Sequence, residues 1–313
     1  MRAGYLLMAA AVVASLGLAA WAHLDRWVEA TRLPPLAVAT GTEVLARDGS
    51  LLRAFPVADG RWRLAPGAVD PGFVAMLTAY EDRRFARHRG VDPLAVLRAA
   101  AQAVWRGRVV SGGSTLTMQV ARLLEDGPTG RWDGKLRQIR VALALERRLD
   151  KAAILGLYLR LAPYGGNLEG IRAASLSWFG KPAARLTPAE AALLVALPQS
   201  PAARRPDRFP EAARAARDRV LARAEAAGVI DAATALAART EPLPRMRRPF
   251  PALAPHLTAR LGRGAAPGSQ IATTIDPGLQ RQAEHLAARA VTGQPARASA
   301  ALILADHRTG EIL

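Results

Sequence analysis

The stretch from Glu81 to Gln138 constrains this chain most. It reads EDRRFARHRGVDPLAVLRAAAQAVWRGRVVSGGSTLTMQVARLLEDGPTGRWDGKLRQ. An acidic pair, Glu81-Asp82, is followed at once by arginines and His88. An apolar helix pattern comes next. A turn of Gly112-Gly113-Ser114-Thr115 then starts a second helix, and a basic helix with Lys135, Arg137, Arg140, Arg147 and Arg148 ends the block. One carboxylate among many cations suits a site that takes a proton while holding an anionic substrate.

Charge narrows the partners. Over 313 residues there are 43 basic and 26 acidic side chains, a net +17. Lysine occurs only at Lys135, Lys151 and Lys181, so the excess is arginine, whose fork matches phosphate and carboxylate. Such a balance fits nucleic acid, anionic lipid or a phosphorylated substrate. There is no cysteine, which excludes disulfides and thiolate metal sites. Gly4 to Ala22 is an uncharged run of about 19 residues, near the ~20 that a helix needs to cross a bilayer. Arg2 precedes it, which orients a cytoplasmic start and an exported remainder. Ala20-Trp21-Ala22 could serve as a signal-peptide cleavage site, but the run exceeds the usual ~7–15 residues, which favours an uncleaved anchor. Export leaves membrane lipid or a lipid-linked phosphate as the anionic partner and argues against nucleic acid.

The expected fold is mainly α, with a transmembrane helix and cytoplasmic stub over 1–24. A linker, stiffened by Pro34-Pro35, and a small β-hairpin occupy 25–60. Asp48-Gly49 between two apolar runs is the hairpin signal. From Asp70 helices dominate. Pro71 to Arg84 carries Phe73, Leu77 and Tyr80 on one face and Glu81 near its end. Asp92-Pro93 is an N-cap with proline at the first helical position. The helix after it shows Leu94, Leu97, Val104 and Trp105. That is the pattern of a core face or, less commonly, of a face laid on a membrane. Ser114 is expected to cap the next helix, 126–134 to form a loop, and Lys135 to Arg148 to point Leu136, Ile139, Leu143 and Leu145 inward. Leu168 to Phe179 reads as a helix, and Thr187-Pro188-Ala189-Glu190 as a capping box. Pro206 to Ala227 reads as a solvated alanine-arginine helix. A proline-rich linker covers 241–270. Strands at Ile271 to Ile275 and Ala300 to Leu304 flank a helix, the start of an incomplete α+β segment over 271–313.

These motifs together resemble the peptidoglycan glycosyltransferase domain of bifunctional penicillin-binding proteins, glycosyltransferase family 51. Glu81-Asp82-Arg83-Arg84-Phe85 matches the first family motif, with His88, Gly90 and Asp92 in step. Gly112 to Gln119 (GGSTLTMQ) matches the second and Lys135-Leu136-Arg137-Gln138 the third, more loosely. Ile154 to Leu159, Gly165-Gly166, Ala191 to Pro198 and Thr273 to Gln280 also fit, and the wording looks most like the 1C branch. The resemblance covers about residues 40–235. It implies a lysozyme-like helical domain over 61–240 that sits against the periplasmic face of the inner membrane. It also implies polymerisation of lipid II onto a growing glycan strand, with undecaprenyl pyrophosphate leaving. Other cell-wall synthesis proteins are implied as partners.

A sugar hydroxyl is a weak nucleophile, so a carboxylate must serve as general base. The resemblance puts Glu81 in that role, although alone it would read as a solvated glutamate. The pyrophosphate gathers charge as it leaves and needs fixed cations. Arg84, Arg122, Lys135 and Arg137 stand at the motif positions. Asp82, His88, Ser114, Thr115, Gln119 and Gln138 complete the expected substrate-binding set, His88 reading as packed structure. Ser114, Thr115 and Gln119 open a helix whose amides favour phosphate oxygens. Gln138 stands where many members have glutamate, and glutamine brings no charge, so only a weak dependence on Mg2+ or Mn2+ is expected and no metal ligand is assigned. Arg122 replaces a common lysine. No serine has a lysine three residues on, and K-T-G is absent, so transpeptidase chemistry is not expected. The alternative function is a non-catalytic, membrane-anchored module that binds lipid II or protein partners. A glycan-cleaving enzyme is a further reading.

Overall fold

The computed structural model describes residues 2–106, 113–125 and 132–313, with the side chains at 2–4, 6, 7, 9, 10, 100, 103, 104 and 132 left out. In chain order the elements are α1 (Arg2–Glu29), β1 (Glu43–Leu45), β2 (Leu51–Ala54), β3 (Trp62–Arg63), α2 (Pro71–Glu81), α3 (Pro93–Arg106), α4 (Leu116–Glu125), α5 (Trp132–Arg148) and α6 (Lys151–Leu161). Then come β4 (Leu168–Glu169), α7 (Ile171–Phe179), α8 (Pro188–Ala196), α9 (Pro210–Ala226), α10 (Ala232–Thr240), α11 (Pro255–Gly264), β5 (Gln270–Ala272) and α12 (Pro277–Val291). The mainly helical fold is as expected. Gly112 and residues 126–131 lie outside the described residues, as does the side chain of Val104.

The chain divides into two compact units. The first comprises Met1–Ala37 and Glu81–Tyr158. Its frame is α4 against α5, with Leu116, Val120, Ala121, Val141, Ala142 and Leu145 buried. Leu136, expected inward, is exposed. It lies nine residues before Leu145, about two and a half turns, and so on the opposite side of the helix. The core reading of α3 is also corrected. Leu94, Leu97 and Trp105 are 55%, 65% and 92% exposed, so this apolar face has no packing partner among the described residues. Asp92 does cap that helix, accepting from Leu94 N (3.1 Å) and Ala95 N (3.3 Å).

Among the described residues no helix is long and apolar enough to cross a membrane. The transmembrane anchor expected over 4–22 is therefore not shown. A 28-residue helix does form there, but five side chains of that span are among those left out. It continues through 25–29, where a linker is expected from sequence.

The second unit comprises Val38–Tyr80 and Leu159–Leu313. The expected hairpin is present, β1 antiparallel to β2, with Gly49 at positive φ in its turn. β5 adds to β1 in parallel. Val44, Ala46, Leu52 and Ile275 form the core beneath, covered by Leu253, Leu257 and Leu261. Residues 300–304 form no strand; only an isolated bridge, Ala305 to Ile312, closes nearby. With that bridge, Leu313 N donates to the Leu304 carbonyl (2.9 Å), which is too little pairing to build a ladder. Leu168 and Glu169 pair with β3 instead of starting α7.

Helices α7, α9 and α10 pack around α8, which is buried along most of its length and begins on the expected Thr187–Glu190 capping box. The outer-face reading of α9 needs correction. Arg217 is 1% exposed. It is compensated by Asp218 (2.9 Å) and by the carbonyls of Glu241 and Arg239 (both 2.7 Å), as a buried guanidinium must be.

Candidate active site

The site belongs to the first unit and begins where α2 stops. Glu81 is its last residue, half-buried, and its Oε2 accepts a hydrogen bond from Gln119 Nε2 at 2.9 Å. Asp82 turns inward. Both its carboxylate oxygens lie 2.9 Å from His88 Nε2, and Oδ2 also accepts from Leu116 N at 2.9 Å. Asp82 thus ties the end of α2 to the first amide of α4. That tie places Glu81 beside Gln119, one turn further along α4.

Thr115, not Ser114, caps α4. Its hydroxyl accepts from Met118 N (3.1 Å) and donates to the Gly90 carbonyl (2.5 Å). Gly90 has φ +92°, and a Cβ there would lie 2.7 Å from the Ala142 carbonyl oxygen. Only glycine lets the loop approach α5 this closely. Released from capping, Ser114 accepts from Lys135 Nζ at 2.5 Å. With the amides of Leu116 and Met118 already engaged, the positive charge available here comes from side chains more than from the helix end.

Lys135 is the perturbed group. Partial burial, and secondly the positive charge of Arg122, hold its ammonium below the usual lysine value. Two cations drawn together in a half-buried setting repel unless an anion joins them. Arg122 and Gln138 line a cavity of ≈ 550 Å³, together with Glu125 and Arg137. Arg137 is mostly exposed and paired to Glu125 at 2.7 Å, which holds its guanidinium above the ordinary range. Arg84 is turned to Asp92 at 3.5 Å. It is not among the groups gathered round Lys135.

A divalent cation does not fit this donor set. Gln138 brings no charge, Glu125 is committed to Arg137, and among the described residues no three His, Asp or Glu side chains gather to hold a metal.

Two features are not evident from sequence. Glu125 is the first, since its link to Arg137 bridges two helices. The second is a half-buried network in which Thr117 and Lys151 both donate to Glu146 Oε1 (2.6 Å each), and Lys151 also donates to the His88 carbonyl (2.7 Å). The i, i+5 spacing of Glu146 and Lys151 is the available signal for the network.

The sequence profile described as Transglycosylase matches residues 49–225. This chain belongs to the transglycosylase family. Penicillin-binding protein 1C of Escherichia coli (strain K12) is 46% identical over 292 residues, which is 93% of this transglycosylase and 37% of that protein. Penicillin-binding protein 1A of Pseudomonas aeruginosa is 33% identical over 255 residues, 77% of this chain and 30% of that one. The biosynthetic peptidoglycan transglycosylase of Rhodospirillum centenum is 36% identical over 201 residues, 64% of this chain and 81% of that protein. This transglycosylase thus spans about a third of the length of the two penicillin-binding proteins.

Proposed function

We propose that this transglycosylase polymerises lipid II into β-1,4 glycan strands and releases undecaprenyl pyrophosphate, with Glu81 as general base. The observation that carries the reading is the Gln119–Glu81 hydrogen bond at 2.9 Å, on the helix whose Arg122 also faces the Lys135 charge. A single element therefore holds the proton acceptor and part of the anion site in fixed relation.

In the reaction the acceptor 4-hydroxyl gives its proton to Glu81 as its oxygen attacks the anomeric carbon. The bond from that carbon to the pyrophosphate oxygen breaks, and the lipid pyrophosphate leaves with the electron pair. Lys135, Arg122 and the Ser114 hydroxyl face the charge that develops on it. Gln119 fixes the angle of the Glu81 carboxylate. Asp82, His88 and Thr115 act from beneath: all three are buried and bonded within the fold, so they position the contact residues. Arg137 and Gln138 line the cavity wall. No step is assigned to a metal.

The lysozyme-like arrangement and the place at the periplasmic face of the inner membrane belong to this proposal. The uncharged run at 4–22 supports anchoring, with Val13, Leu16, Leu18 and Trp21 all more than 60% exposed. The open apolar face of α3 supports a second contact with lipid. Labelled lipid II incubated with the chain in detergent should give a ladder of glycan products, and chelation by EDTA should lower the rate less than about twofold. Binding of lipid II without any ladder would favour the non-catalytic alternative.

A further inference from the structure

The end of α1 is clamped to α5. Arg140 Nε donates to the Trp27 carbonyl (2.9 Å) and to Thr31 Oγ1 (2.8 Å), while its guanidinium stacks 5.0 Å from the Trp27 ring. One heptad on, two turns along the same side of α5, Arg147 pairs with Asp25 at 2.5 Å. Val28 and Thr31 are buried in this contact. The last carbonyls of a helix lack intrahelical partners, and Arg140 supplies one. The next residues leave in a fixed direction, because Pro34 and Pro35 restrict the backbone. Arg32, Leu33 and Pro34 line the cavity described above, together with Arg122 and Gln138.

The charges in that lining do not balance. Arg32, Arg122 and Arg137 face a single carboxylate, Glu125, which leaves two positive charges in excess. Among the described residues neither Arg32 nor Arg122 has a carboxylate partner. Two guanidinium forks from separate segments can each take one phosphate of a diphosphate, a bidentate match that a single phosphate does not offer.

We propose that Arg32, held in place by the Arg140 clamp on α1, is a diphosphate-binding residue of this site. The segment leaving α1 is then part of the substrate site as well as a tether. The inference rests on the transglycosylase reading for the identity of its ligand, the diphosphate of the lipid-linked sugar donor. It explains why α5 commits two arginines to α1: a displaced helix end would carry Arg32 away from Arg122.

Inorganic pyrophosphate, titrated calorimetrically into the full chain in detergent, tests this without turnover. Arg32→Gln should weaken binding roughly tenfold, the loss of one charge-assisted contact. Arg297→Gln, at an exposed arginine of the other unit, should leave binding unchanged. Arg140→Gln should weaken binding by a similar factor, and the double variant should lose little more than either alone, since both changes remove one contact. With lipid II, Arg32→Gln should lower kcat/KM about tenfold. The proposal is overturned if Arg32→Gln binds pyrophosphate as wild type does. It is equally overturned if that variant loses only binding to phosphatidylglycerol vesicles, relative to phosphatidylcholine ones, because Arg32 would then read bulk lipid headgroups. A wild-type chain that binds pyrophosphate through Arg32 yet makes no glycan would sink the functional reading and leave the anion site standing.

Discussion

Lys135 shows what the site costs the fold. Its ammonium is half-buried, donates to Ser114 and lies near Arg122, and burial keeps its pKa below the ordinary 10.5. The unfolded chain binds that proton more tightly than the folded one. The penalty is therefore full below the folded pKa and fades as pH rises toward 10.5. Lys135→Met should raise Tm at neutral pH, with the gap to wild type narrowing in alkaline buffer, while kcat/KM for lipid II falls about a hundredfold. A lower Tm at neutral pH would contradict this account of Lys135. The motif positions of Glu81, Gln119, Arg122 and Lys135 are legible through the resemblance to the family motifs, since each alone would read as a solvated side chain. Their pairing is not, because which hydroxyl caps α4 decides which one meets Lys135. By residue type Ser114 is the better cap, and the Gly90 carbonyl, to which Thr115 donates, overrides that preference.

At the scale of elements, two glycines make opposite demands. Gly90 joins the loop after α2 to α5 with φ +92°, so a Cβ is strained and meets the Ala142 carbonyl. Gly90→Ala should cost about 1–3 kcal/mol, read from the denaturation midpoint, and lower turnover by displacing Thr115. Gly156 lies within α6, and a methyl group added there would meet nothing within 4 Å. Gly156→Ala should be neutral or stabilising by up to about 1 kcal/mol. Equal effects at the two positions would contradict the close approach at Gly90. Elements with their own punctuation can be read from sequence: the Asp48-Gly49 hairpin, the Asp92 cap and the Thr187 capping box. Those that depend on a distant neighbour cannot. Arg217 is buried because carbonyls at 239 and 241 await it, and residues 300–304 lack a strand to pair with. Leu136 and the α3 leucines follow helical periodicity, but periodicity does not say which face meets the core.

For the whole molecule, a net charge of +17 with open apolar side chains on α1 and α3 predicts adsorption to anionic bilayers. Binding to phosphatidylglycerol vesicles should weaken steeply between low and physiological salt, because surface charges are screened beyond about 8–10 Å there. A residual, salt-insensitive part should come from the apolar faces. Salt-independent binding would remove charge from the account. What joins the three scales is the proposed proton transfer, from a sugar hydroxyl to Glu81, beside cations that would face a departing diphosphate. The most direct measurement compares Glu81→Gln with wild type in polymerising labelled lipid II, with circular dichroism confirming equal folding. The account predicts no glycan ladder and no undecaprenyl pyrophosphate from the variant; turnover near the wild-type rate would contradict it.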